Sequence, residues 1–361
     1  MLVEKKSLIL PQPFVTEGGA TLSSAPVAYE EYGNPKGPVI LICHGGLSSN
    51  HCAGKYSEKD AVAGWWDGVI GAGKPFDTDR FRILSINALG GMYGTCSPMT
   101  IDPMTGCRYG PMFPAITMRD QVRFAAAFLD AMGVDRLWCM AGPSMGSMHT
   151  LCFAAMYPER IERAVSVATA ARMTASGMAM HHLMMNAFKA DPAFHAGWYT
   201  PGVPLGAAKI IAQIIKLYYL SEKLYKTLCA DTVPHGPGAQ LKRSANTNAF
   251  INTGLDASVA CYDGNSFIAT LTAINSHDLA EGFATLEEGV CRIKCPILLI
   301  NIDSDHEFPP YAAEEIAGIL NAVRPGQATT RVMTSMWGHI GCIREMEQLG
   351  ACLREWLPSV S

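Results

Sequence analysis

The stretch Leu137–Thr150, LWCMAGPSMGSMHT, decides the fold. An apolar run leads into Gly142-Pro143-Ser144-Met145-Gly146, and small residues at helical spacing follow. A strand, a sharp turn and a helix are written this way when the turn must hold a serine in a strained conformation. The flanking glycines relieve the crowding of such a turn and leave the hydroxyl exposed at the C-terminal end of the strand. Small residues cluster in many turns, so the G-x-S-x-G pentapeptide does not by itself identify a nucleophile. An acid and a histidine following in the right order would.

On either side of this stretch lie more runs of strand length that are apolar throughout. They are VILICHGG (Val39–Gly46), FRILSINAL (Phe81–Leu89), RAVSVATA (Arg163–Ala170) and PILLINIDSD (Pro296–Asp305), with TTRVMTSM further on. Thr117–Gly133 separates two of them with helical spacing, Thr117 standing at the N-cap and Gly133 at the end. YAAEEIAGILNAV and a last segment from about Gly341 to Leu357 read as helices. The N-terminal LILPQPF and APVAYEEYG read as two strands joined by a turn. Strands buried on both faces and alternating with helices specify an α/β fold with a mostly parallel central sheet flanked by helices. After Ala170 the strand rhythm stops. GMAMHHLMMNAFKA and GAAKIIAQIIKLYYLSEKLYKTL read as two helices, with a turn at Gly236–Gly238. The expected organisation is a core over 1–171, a helical lid over 172–279 and the rest of the core over 280–361.

Composition narrows the function classes. In 361 residues, 49% hydrophobic and 17% charged content indicates a well-buried globular protein, and a net charge of −4 without a basic cluster favours neither nucleic acid nor a membrane surface. The N-terminal apolar run is broken by Pro11 and Pro13, too short for a secretory signal, and no stretch is long enough to span a bilayer. The twelve cysteines include no C-x-x-C pair, and Cys43 and Cys139 sit in strand-like runs as small buried hydrophobes. Cys291 and Cys295, the closest pair, have no histidine at metal-site spacing. A reducing cytoplasm, no metal and no resident cofactor are expected.

Two residues in the second part of the core complete the chemistry. Asp305 ends a strand run, and His339 follows the next strand in Trp337-Gly338-His339. A serine hydroxyl is a poor nucleophile at neutral pH. It needs a histidine to take its proton and an aspartate to fix that histidine's tautomer. The chain order Ser144, Asp305, His339, each at a strand end, is the α/β-hydrolase order. The oxyanion formed on attack needs backbone donors. Met145 N–H at the helix start is one, and the His44-Gly45-Gly46-Leu47 loop supplies the other, expected from Gly46, with Leu47 bordering the substrate. Taken singly, Ser144 is as well read as a tight-turn serine, His339 as a packed histidine and Asp305 as a helix N-cap. Asp303 competes for the acid's role. The joint order of three matched residues favours chemistry over packing. His44 is expected to structure the oxyanion loop, His149 to pack or support it, and His181 and His182 to be solvated or packed on a lid helix.

These motifs resemble the homoserine O-acetyltransferase group of α/β-hydrolases, over nearly the whole chain. The resemblance is carried by Trp65-Trp66-Asp67-Gly68, Ile86-Asn87-Ala88-Leu89-Gly90-Gly91-Met92-Tyr93-Gly94 and Phe113-Pro114-Ala115-Ile116-Thr117. It continues in Pro143-Ser144-Met145-Gly146, Asp191-Pro192, Tyr262-Asp263-Gly264-Asn265-Ser266-Phe267, Ser304-Asp305 with Phe308-Pro309-Pro310, and Gly338-His339. It implies an acyl-enzyme on Ser144, a helical lid over the site and a homodimer through lid helices. The departures fall where such transferases recognise an amino-acid acceptor. An aspartate that usually follows the histidine, placed to hold the substrate ammonium, is here Ile340. An arginine on a lid helix, some seven residues before a tyrosine, has Lys209 as its nearest basic match, with about three extra residues to Tyr219. An arginine before the Tyr-Asp-x-Asn-Ser motif is replaced by Cys261. Lysine lacks the bidentate fork, and isoleucine cannot pair with an ammonium.

The leading expectation is a serine hydrolase acting on a small-molecule carboxylic ester through an acyl-enzyme. The alternative is transfer from an acyl donor, acetyl-CoA serving as co-substrate, to an alcohol. A non-catalytic binding protein on the same fold is a third reading, against which the intact Ser-Asp-His order argues.

Overall fold

A computed structural model describes residues 1–203, 205–255 and 262–358. Its central sheet has eight strands: β1 (Lys6–Ile9), β2 (Pro26–Gly33), β3 (Val39–Cys43), β4 (Arg82–Ile86), β5 (Cys139–Pro143), β6 (Ala164–Val167), β7 (Ile297–Ile302) and β8 (Ala328–Met333). They lie in the order β1-β2-β4-β3-β5-β6-β7-β8. β2 pairs antiparallel with β1 and β4, and the remaining neighbours are parallel. Every residue of β5, β6 and β7 is buried, which is why these runs carry no polar alternation.

Helix α1 (Met118–Ala131) starts at a reciprocal cap. Thr117 Oγ1 accepts from Asp120 N–H (3.0 Å), and Asp120 Oδ2 accepts from Thr117 N–H (3.2 Å). Helix α2 (Met145–Met156) follows β5 directly and is buried on nearly all sides, as its small and apolar residues require. Between β6 and β7 come α3 (Ala175–Ala190), α4 (Gly206–Tyr219), α5 (Ala239–Asn252) and α6 (Gly264–Asn275), with no strand among the described residues of that insertion. α7 (Pro310–Val323) and α8 (Met346–Trp356) complete the core.

Three elements differ from the sequence reading. Pro11 and Pro13 cannot donate to a ladder, so β1 ends at Ile9 and Phe14–Val15 pairs with Thr21–Leu22 instead. The second lid helix breaks at Leu220, whose backbone is extended, and Ser221 caps a new turn by accepting from Leu224 N–H (3.2 Å). The Ser221 hydroxyl also donates to Met336 O, tying the break to the segment that precedes His339. Finally, the C-terminal helix starts only at Met346, after a 3₁₀ helix over Gly338–Ile343 and a non-helical Glu345 (φ −88°, ψ 55°), while Trp66 Nε1–H donates to Cys342 O (3.0 Å).

Asn301 locks β7 to the loop after it. Its Oδ1 accepts from Thr169 N–H (2.9 Å), and its Nδ2 donates to the carbonyls of Thr169 (3.0 Å), Phe308 (3.0 Å) and Pro309 (2.9 Å). Asn301, Thr169 and Phe308 are buried and Pro309 is half-buried, so truncation leaves polar backbone without partners. Asn301→Ala is expected to lower the unfolding free energy by about 2–4 kcal/mol, read as a shifted urea midpoint at unchanged slope. A loss below about 0.5 kcal/mol, the usual surface value, would show that water replaces the side chain.

Candidate active site

Ser144 sits at φ 54° and ψ −122°, between the end of β5 and the first residue of α2. Such a backbone costs a non-glycine residue about 1–3 kcal/mol, and close packing enforces it. A Cβ on Gly142 would stand 2.4 Å from Cys43 O, and one on Gly146 would stand 2.1 Å from the same atom. The turn therefore fits only with glycine on both sides, and Ser144 N–H is anchored on Val167 O (2.9 Å).

His339 and Asp305 arrive from the ends of β8 and β7. His339 Nε2 lies 2.9 Å from Ser144 Oγ, and His339 Nδ1 lies 2.8 Å from Asp305 Oδ2. Asp305 Oδ1 accepts from the amides of Glu307 (2.8 Å) and Phe308 (3.2 Å). Burial alone would push the Asp305 carboxyl up, but the His339 charge and hydrogen bond and these two amides hold it below the usual carboxylate range. Burial disfavours the His339 imidazolium, yet Asp305 outweighs it and raises the imidazole's affinity for a proton. Asp303, the competing acid, is exposed and accepts from Ser335 N–H (3.0 Å) instead. Geometrically the three residues form a proton path from a hydroxyl to a fixed imidazole, which is what acyl transfer through serine requires.

The loop after β3 borders the same cavity. Gly46 and Leu47 line it beside Ser144, and the N–H groups of Gly46, Leu47 and Met145 have no acceptor among the described residues. His44 organises this loop: Nδ1–H donates to Gly45 O (2.7 Å), while Nε2 accepts from Ala88 N–H (3.0 Å). Burial pushes this imidazole down to about 4, so it stays neutral and keeps both roles. His149 is buried against Gln121 Oε1 (2.8 Å), a packing role.

A cavity of about 290 Å³ opens over Ser144 and is mostly apolar, with Leu47, Trp65, Ile215, Ile274, Phe308 and Ile340 among its walls. Tyr219 ends α4 above the site, its ring 4.9 Å from that of His339. Lys209 needs correction as a substrate residue. It is exposed and absent from the cavity wall, because α4 turns Ala208, Ile211 and Ala212 inward and so points position 209 away. No lysine or arginine lines the cavity among the described residues, and none of the others, at 204, 256–261 and 359–361, is a lysine or arginine. Cys261 lies outside the described residues.

Glu307 and His181 were not foreseen as site residues. Glu307 is buried, with Oε2 3.6 Å from His339 Nε2 and Oε1 3.5 Å from Nε2 of His181 on α3. Burial, reinforced by the Asp305 charge and opposed by His339, raises its carboxyl to about 7. The available signal was a second acid two residues after Asp305 in a run that continues as Phe-Pro-Pro, and that spacing alone says nothing of burial.

Residues 38–345 match the family described as the alpha/beta hydrolase fold. A homoserine O-acetyltransferase of Methanococcoides burtonii is 34% identical over 96% of this chain and 72% of its own length. Among solved structures, a homoserine O-acetyltransferase from Bacillus anthracis superposes with a TM-score of 0.91 at 27% identity, covering 99% of this chain and 98% of that one. An esterase called E22 superposes with a TM-score of 0.89 at 27% identity over 99% of this chain and all (100%) of its own. The elbow serine and the strand order thus stand in a shared architecture, and the chain belongs to the homoserine O-acetyltransferase family of the α/β-hydrolase superfamily.

Proposed function

We propose that the protein hydrolyses a small uncharged carboxylic ester through an acyl-enzyme on Ser144. His339 takes the hydroxyl proton and returns it to the leaving alcohol, while Asp305 holds the imidazole in the accepting tautomer. Met145 and Gly46 N–H groups receive the oxyanion, and water then releases the acid. The observation that carries this reading is the cavity wall, which has no lysine or arginine among the described residues for a substrate carboxylate and places Ile340 beside His339. Burying a substrate carboxylate there without a lysine or arginine to pair it is costly. The esterase among the structural neighbours supports the same reading.

A second reading, acyl transfer from acetyl-CoA to a hydroxyl, is favoured by the relatives, which are named homoserine O-acetyltransferases. One assay pair separates the two. Incubation with p-nitrophenyl acetate is expected to release acetate and p-nitrophenolate in equal amounts over many turnovers. Incubation with acetyl-CoA is expected to give no CoA release that depends on homoserine. Homoserine-dependent CoA release at a rate above ester turnover would overturn hydrolysis in favour of transfer.

A further inference from the structure

The Ser-His-Asp chain uses no side-chain hydrogen bond of Glu307 or His181, although both face the cavity and both are buried. Glu307 Oε2 and His181 Nε2 have no hydrogen-bond partner among the described residues. Asn275 Oδ1 meets His181 Nδ1 at 2.6 Å, and this contact constrains the protons. If Nδ1–H donates to Asn275, Nε2 of neutral His181 is a bare acceptor facing Oε1 of Glu307, and the two need one proton between them. If the Asn275 amide is turned over and donates instead, His181 carries its proton on Nε2 and offers it to Oε1. His181 Nε2 stands 3.5 Å from Oε1 without a hydrogen bond, and Oε2 has no partner among the described residues. That acceptor stands 3.6 Å from His339 Nε2, too far for a direct bond and close enough for one oxygen to bridge both.

We propose that Glu307, buried beside His339, positions the water that deacylates Ser144 and so favours water over an alcohol as acyl acceptor. This rests on the acyl-enzyme reading above. In the step, the water oxygen attacks the acyl carbon while one O–H gives its proton to His339 Nε2 and the other donates to Glu307 Oε2. The carbonyl electron pair moves to the oxyanion and returns as the bond to Ser144 Oγ breaks. His339 then protonates Oγ, and the carboxylic acid leaves. An alcohol has a single O–H, which His339 must receive. Its carbon would lie where the second hydrogen of water points, against an acceptor left unsatisfied. The ionised carboxylate presents Oε2 as an acceptor, and burial raises this carboxyl to about 7. Glu307 is thus a positioning residue, acting on the nucleophile of the second half-reaction.

The test follows p-nitrophenolate release by stopped flow and, with 1-propanol added, the ratio of propyl acetate to acetate. Glu307→Leu removes the acceptor at similar volume. It is expected to slow steady-state deacylation by about a hundredfold, the scale of a misplaced reactant, and the acylation burst by far less. The ester-to-acid ratio should rise by about tenfold or more. Glu307→Gln keeps an acceptor oxygen beside His339 and should recover most of the lost deacylation, and Glu307→Met repeats the leucine test should that variant not fold. Equal slowing of burst and steady state, or an unchanged product ratio, would overturn the proposal. Wild-type protein that shows neither a burst nor labelling of Ser144 by a fluorophosphonate would instead overturn the acyl-enzyme reading.

Discussion

Ser144→Ala is expected to remove the p-nitrophenyl acetate burst and to lower kcat by about 10⁵–10⁶-fold, the range found when the nucleophile of a serine triad is deleted. Among the described residues the hydroxyl makes one hydrogen bond, to His339 Nε2. Alanine retains the φ 54° backbone and the packing of Gly142 and Gly146 against Cys43, so the variant should unfold at the wild-type urea midpoint. Whatever rate remains reports the unpaired amides of Gly46 and Met145 acting on a bound ester without a nucleophile, a residual of about 10³–10⁴ over water in comparable sites. The measurement is active-site titration by the burst, together with intact mass after fluorophosphonate treatment. A burst of undiminished amplitude in the alanine variant would place the acyl group elsewhere and sink the assignment.

The parts of this site that sequence made legible are those whose chemistry restricts residue type. A nucleophilic serine on a strand-to-helix turn needs glycine on both sides, and Gly142 and Gly146 lie too close to Cys43 O for any Cβ. That constraint is local, so it shows in the pentapeptide. The buried runs of β5, β6 and β7 show for a similar reason, since a strand covered on both faces has no polar alternation to confuse it. The choice between Asp303 and Asp305 was not legible. It turns on which carboxylate the loop folds back on, and two amides inside that loop, from Glu307 and Phe308, make the choice. Lys209 shows the opposite failure. It matched a basic position by charge, but helical phase points it outward. Glu307 could not be read at all, because its meaning depends on His181, which α3 brings from another part of the chain.

This division bears on what the lid does. Tyr219 covers the His339 ring, His181 meets Glu307, and Ile274 packs within 2.8 Å of where a Gly46 side chain would begin. Three lid helices therefore each abut one part of the core's machinery: the imidazole, the extra carboxyl and the oxyanion loop. The core alone supplies the proton path. Lid and core together wall the cavity, Ile215, Leu271 and Ile274 from the lid meeting Leu47, Trp65, Phe308 and Ile340 from the core, and a shared fold does not by itself determine the acceptor.

Asp305→Asn is expected to lower kcat by about 10⁴-fold with little change in KM, the loss seen when a triad aspartate becomes an amide. The local hydrogen bonds show why so small a change is so damaging. Asp305 Oδ1 receives the Glu307 and Phe308 amides, so an asparagine must place its oxygen there and turn its NH₂ toward His339. The imidazole then has to accept at Nδ1, which moves its proton to Nε2. An N–H now faces Ser144 Oγ across 2.9 Å where a lone pair is needed, and the serine keeps its proton. The backbone around the loop keeps its partners, so this variant should fold as the wild type does and bind ester comparably. Asp303→Asn serves as the control. Among the described residues its carboxylate accepts only from Ser335 N–H, an amide oxygen accepts there equally well, and kcat should stay within about twofold, as for other exposed sites remote from the chemistry. The two variants measured side by side in ester hydrolysis decide which acid orients His339. An active Asp305→Asn paired with an inactive Asp303→Asn would reverse the assignment, because only a rearranged loop would let the strand-end carboxylate reach Nδ1.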